Sequence, residues 1–102
     1  MSEVQRTANT DDISIREMRK SAGSWLKSRR CELGLSQREL AQRVNMQYYT
    51  FISQIEAGRG RIPADRLRDW SAALEMDAKE FAKKLMKYYD PFTYDMIFGL
   101  EN

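Results

Sequence analysis

The chain has 102 residues, 42% hydrophobic and 31% charged, with a formal net charge of +2. This fits one soluble domain with a modest core. With no histidine and one cysteine, it excludes imidazole chemistry, Ser/His and Cys/His nucleophile pairs, an internal disulfide and a thiolate metal cluster.

No apolar run approaches the ~20 residues that a membrane span needs. Residues 1–12 lack the apolar centre of a signal peptide, so the chain is expected to stay in the cytoplasm. No glycine-rich phosphate loop is present, and nothing sets two carboxylates across a cleft. The expectation is a non-enzyme without metal or cofactor. Charge is spread unevenly. Between Arg16 and Arg68 lie 12 basic and 5 acidic residues, a local +7 against −5 elsewhere. Such a block points to a polyanionic partner.

In chain order, residues 1–12 are polar and read as a disordered tail. Ser14 and Glu17 make a capping box for a first helix. Ile15, Met18, Ala22, Trp25, Leu26 and Leu33 follow at helical spacing, with a possible break at Gly23 and a new cap at Ser24. Gly34 is a stop. Ser36 and Glu39 form a second capping box, opening a helix with Leu40, Ala41 and Val44 on its apolar face. Asn45 suits a left-handed turn. A third helix is expected from Gln47 to Ala57. Tyr48, Ile52 and Ile55 lie inward, Phe51 at the margin, and Tyr49, Thr50, Ser53 and Gln54 outward. Gly58 ends it, and a basic loop, Arg59-Gly60-Arg61, follows. Pro63 is placed to open a fourth helix with Leu67, Trp70, Ala73 and Leu74 buried. Asp77 and Glu80 cap a fifth, with Phe81, Leu85 and Tyr88 or Tyr89 on one face, and Pro91 ends it. Phe92 to Leu100 is apolar and aromatic. Residues 13–89 therefore read as one all-α domain of five helices, with 90–102 as an apolar C-terminal extension.

Two short capped helices separated by a turn suggest a helix-turn-helix. Leu33-Gly34-Leu35-Ser36-Gln37-Arg38-Glu39-Leu40-Ala41 resembles the opening of the Xre family, the Cro- and phage-repressor-type helix-turn-helix proteins. Ile52-Ser53-Gln54-Ile55-Glu56-Ala57-Gly58 resembles the end of that family's recognition helix. Pro63, Leu67 and Ala72-Ala73-Leu74 resemble its fourth helix. The likeness spans roughly residues 24–85. One extra residue near Asn45–Tyr49 departs from the pattern and should lengthen the turn or shift the third helix.

The resemblance implies a lambda-repressor-like fold and a transcriptional regulator, encoded by a bacterium or phage. It also implies a homodimer on a palindromic site of double-stranded DNA, with half-sites about one helical turn (~34 Å) apart. The likeness gives Gln37 the family glutamine's place, touching backbone and supporting base-reading side chains. Glu56 takes that of a structural glutamate, pairing with an arginine such as Arg38 or Arg43. The short, polar, uncharged outer face of helix three suits a major groove. Gln54 matches the donor and acceptor of adenine. Thr50 can hydrogen-bond or set its methyl on a thymine methyl, and Ser53 and Tyr49 complete the base-contact set. Gln37, Arg38, Arg43, Arg59 and Arg61 are the candidate phosphate contacts. Arg29 and Arg30 reach phosphate or stay solvated. The last segment packs on its own domain or on a second subunit; the reading adopted is a dimer interface of Phe92, Tyr94, Ile97 and Phe98. The leading expectation is a dimeric repressor. The alternative is an antitoxin that also binds its operator and uses its termini to hold a toxin.

Overall fold

The computed structural model describes the backbone of residues 2–99 and the side chains of residues 14–99. Six α-helices follow in order: α1 (Ser2–Glu32), α2 (Gln37–Arg43), α3 (Thr50–Glu56), α4 (Leu67–Ala73), α5 (Ala78–Tyr89) and α6 (Pro91–Tyr94). A 3-10 turn, Ala64–Arg66, leads from Pro63 into α4, and a π-helical turn, Asp95–Gly99, continues α6. Among the described residues there is no strand, so the fold is all-α.

Neither glycine nor proline occurs before Gly23, so nothing stops a helix short of Ser14. The backbone of α1 is helical from Ser2, and Ser14 and Glu17 lie within it rather than at its start. The segment read as a disordered tail, 1–12, is thus helical in backbone from Ser2, while its side chains lie outside the described residues. The helix also passes unbroken through Gly23. That glycine serves packing. A Cβ there would stand 2.2 Å from the Glu56 carbonyl oxygen and 2.7 Å from that of Ile55. Gly58 repeats the device: a Cβ would stand 2.8 Å from the Lys20 nitrogen, at a φ of +80. The end of α3 therefore meets α1 backbone to backbone.

Four successive helices stop in one way. Gly34, Asn45, Gly58 and Glu75 each take a positive φ, between 56 and 80. The next amide then reaches five residues back: Leu35 to Arg30, Met46 to Ala41, Arg59 to Gln54 and Met76 to Ser71, at 2.8–3.1 Å. These are Schellman closures, which satisfy carbonyls that a helix end leaves bare. Asn45 occupies the left-handed turn expected of it. The capping box of α2 is also present: the Ser36 amide donates to Glu39 Oε1 at 2.8 Å, and the Glu39 amide donates to Ser36 Oγ at 3.0 Å. Bonding to the Ser36 backbone holds the Glu39 carboxyl below its ordinary range.

Arginines cover further helix carbonyls. Arg29 Nε donates to the Leu74 oxygen (2.9 Å) and its Nη2 to that of Glu75 (3.1 Å). Arg43 Nη1 donates to the Ala73 oxygen at 2.9 Å, and Arg66 donates to the Val44 oxygen. One core of Ala22, Leu26, Leu40, Ala41, Val44, Ile52, Ile55, Ile62, Trp70, Ala73, Leu74, Phe81 and Leu85 joins α1 to α5.

Three further expectations need correction. Helix three begins at Thr50, not Gln47. Tyr48 therefore lies in the preceding turn and is 58% exposed rather than buried, while Met46 packs against the core. Ile15 is 51% exposed although it shares the apolar stripe of α1, because the helices that cover α1 pack further along it. Glu56 pairs with neither Arg38 nor Arg43 but with Arg30. Arg30 Nε and Nη2 donate to its two carboxylate oxygens at 2.6 and 3.0 Å, with both residues buried.

Removing one partner of a buried ion pair strands the other. Glu56→Ala should lower stability by about 3–5 kcal/mol in urea denaturation; a loss below about 1 kcal/mol would show that the pair does not hold the fold. Glu39→Gln tests the capping box by pH. The box stabilises fully above the ordinary glutamate pKa, and its contribution is lost as pH falls through the lowered folded value. The variant should flatten that stretch of the acid stability curve.

Candidate nucleic-acid interface

The site is built where α2 begins and α3 presents its outer side. Ile52 and Ile55 bury the inner side of α3. Tyr49, Thr50, Phe51, Ser53 and Gln54 remain exposed. The two helices are tied by one carboxylate. Gln37 Nε2 donates to Glu56 Oε1 at 3.1 Å, and the same carboxylate takes both bonds from Arg30. Arg30 Nη1 also donates to the Leu35 oxygen at 2.7 Å. The bonds to Glu56 raise the Arg30 pKa further above its ordinary value, outweighing the desolvation that opposes them. The start of α2, the turn before it, the end of α1 and the end of α3 are therefore tied together through one group of atoms.

The candidate base contacts Tyr49, Thr50, Ser53 and Gln54 share this exposed side. Arg38 joins them: its guanidinium lies 4.8 Å above the centre of the Tyr49 ring, a cation–π contact. Gln37 is half-buried, its amide oriented by Glu56. Arg59 follows at once and is exposed, its amide bonded to the Gln54 oxygen.

Two candidate phosphate contacts are drawn elsewhere. Arg43 is bonded to Ala73 and, at 3.2 Å, to Glu75, on the α4 side. Arg61 is bonded to Asp90 through Nη2–Oδ2 at 3.1 Å and stacks 4.5 Å from the Tyr89 ring. Arg29 and Arg30, read as reaching phosphate or solvent, serve the fold instead.

The C-terminal extension divides. Tyr94 and Phe98 face each other, ring centres 5.2 Å apart, beneath the ammonium groups of Lys87 (5.9 Å) and Lys83 (4.6 Å) on α5. Phe92 and Ile97 turn outward, 84% and 53% exposed, with Met96 beside them at 81%. One side of the extension thus returns to its own domain, as one of the two readings expected, and the other stays open.

Sequence reasoning missed the pairing of Arg30 with Glu56, the extent to which Phe51 is exposed, and the open position of Met96. Arg30 had a signal, since it falls four residues after Leu26 on the buried stripe of α1, where a charge requires a carboxylate. Phe51 did not, because its exposure of 53% depends on where α3 starts.

The basic loop has its own anchor. Tyr89 Oη accepts the Ile62 amide at 3.3 Å, and burial pushes the Tyr89 hydroxyl pKa up. Tyr89→Phe removes that acceptor and should cost about 1 kcal/mol. Amide exchange at Ile62 should quicken in step, and unchanged exchange there would detach the loop from α5.

Residues 26–81 match the model of a family described as helix-turn-helix. No curated protein matches the chain. Among the described residues, no helix is long and apolar enough to cross a membrane.

Proposed function

The chain belongs to the helix-turn-helix family, of the Xre type, whose members are DNA-binding regulators, and on that premise we propose that it is a dimeric repressor reading a palindromic operator through the major groove. The observation that carries this reading is the exposed polar row Thr50, Ser53 and Gln54, on a helix anchored to the start of α2 through Gln37 and Glu56. Gln54 pairs with adenine, and Thr50, Ser53 and Tyr49 complete the base contacts. Gln37, Arg38 and Arg59 hold phosphates beside them. Arg61 joins the phosphate set by exchanging Asp90 for DNA. Arg43 is the weakest member, since it already serves Ala73 and Glu75. Residues 13–89 act as the DNA-binding unit and 90–102 as the dimerisation segment, through Phe92 and Ile97, with Tyr94 and Phe98 supporting them from behind.

A second reading rests on the exposed apolar side of the C-terminal segment. Phe92, Met96 and Ile97 can equally cover a different protein, as in an antitoxin holding its toxin. Replacing Phe92 and Ile97 together by serine separates the two. The dimer reading expects sedimentation to shift from dimer to monomer. A wild-type chain that sediments as a monomer at all concentrations contradicts it and favours the other partner.

Selection of bound sites from random duplexes tests the function itself. A palindrome with half-sites about one turn (~34 Å) apart is expected. Gln54→Ala should then relax the choice at one base pair, costing about 1–3 kcal/mol on the selected site. Arg59→Ala should weaken specific and random duplexes alike and lower the salt slope by about one. Enrichment of no sequence would overturn the function, and an unchanged salt slope would remove Arg59 from the phosphate set.

A further inference from the structure

Three aromatic side chains stand open on the proposed DNA-reading side. Tyr48 is 58%, Phe51 53% and Tyr49 40% exposed. A small globular domain tends to bury such rings, and here Trp70 and Phe81 are fully buried in the core. Phe51 follows Thr50 and precedes Gln54 by three positions, so its ring borders the polar row on the same side of α3. Tyr48 lies three residues before Phe51, in the turn that leads into the helix. Phe51 therefore forms an apolar margin on one side of the hydrogen-bonding row, while Tyr48 and Tyr49 line a shallow groove with Arg38 and Gln42 of α2.

The charge around this margin points to one class of occupant. Thr50–Glu56 carries no lysine or arginine, and its one charged residue, Glu56, is buried against Arg30. The commonest way of reading guanine is an arginine or lysine fork on its O6 and N7, and α3 has none. Its groups suit the other base pair: an amide for adenine, and apolar rings for the C5-methyl of thymine. Arg38, stacked on Tyr49, places positive charge on the α2 side of the polar row, as an anionic backbone requires and an apolar protein surface does not.

Resting on the DNA-binding reading of this side, we propose that Phe51 is a specificity-determining residue that packs on thymine methyl groups, so that the half-site facing α3 is built of A·T pairs. The ring gains only where a methyl group fills the space against it. Uracil keeps every hydrogen-bonding group of thymine and lacks the methyl.

The test compares the selected duplex with the same duplex carrying deoxyuridine at the half-site thymines, using the full chain. Wild type should lose about fourfold in affinity for each contacted methyl, the scale of one buried carbon group. Phe51→Ala should bind both duplexes within twofold of each other, close to wild type on the uracil duplex. Equal wild-type affinity for the two duplexes overturns the proposal and leaves DNA binding intact. So does a selected half-site of G·C pairs alone, or a Phe51→Ala variant that keeps the full thymine preference. Failure to enrich any sequence overturns the DNA-binding reading, and this proposal with it. The wild-type comparison requires no variant, so a poorly folded Phe51→Ala does not remove the test.

Discussion

The Glu56 carboxylate, buried at the end of α3, is the point on which the arrangement of the helices depends. It receives two bonds from Arg30 and one from Gln37, while Arg30 spends a further donor on the Leu35 carbonyl. Burying two charges is costly, and such a pair adds little stability over an apolar replacement unless its remaining donors and acceptors are satisfied. Here they are spent on three different pieces of chain. What the pair supplies is geometry: the start of α2 is set relative to α3 through one group of atoms. Gly23 and Gly58 make this possible. They let α1 approach until a methyl group at either position would collide with backbone.

The same economy alters the meaning of the charge. A +7 block over Arg16–Arg68 reads as a basic surface, yet Arg29, Arg30, Arg43 and Arg66 are bonded to helix carbonyls or to Glu56. Arg29, Arg43 and Arg66 neutralise the negative ends of α4 and α2, and Arg30 neutralises Glu56. The charge left at the edge of the α3 face belongs to Arg38 and Arg59, with Arg61 held by Asp90. Few phosphate contacts mean weak, salt-dependent attraction to any duplex. On the proposed reading, discrimination then rests on the uncharged outer residues of α3.

Much of the fold was legible in the sequence because local signals carried it. Ser36 with Glu39, Asp77 before α5, and Gly34, Asn45 and Gly58 after their helices all act within one turn of chain, and the structure uses each as expected. Long-range choices were not legible. Glu75 takes a left-handed φ of 56 with no residue type to announce it, supported by arginines 46 and 32 positions away. The partner of Glu56 was sought on α2, the nearer helix, whereas α1 supplies it across 26 residues. The outer row of α3 was legible from spacing. The exposure of Tyr48 was not, because α3 starts only at Thr50 and leaves Tyr48 in the preceding turn.

On the proposed reading, α3, set by Glu56 against the start of α2, is the surface that meets DNA. Backbone amide shifts of the labelled protein, titrated with a selected duplex, test it most directly. The largest changes are expected at Gln37, Arg38 and Arg59 and across Tyr49 to Gln54, with α5 nearly still. Changes confined to α5 and the segment after Asp90 would contradict it.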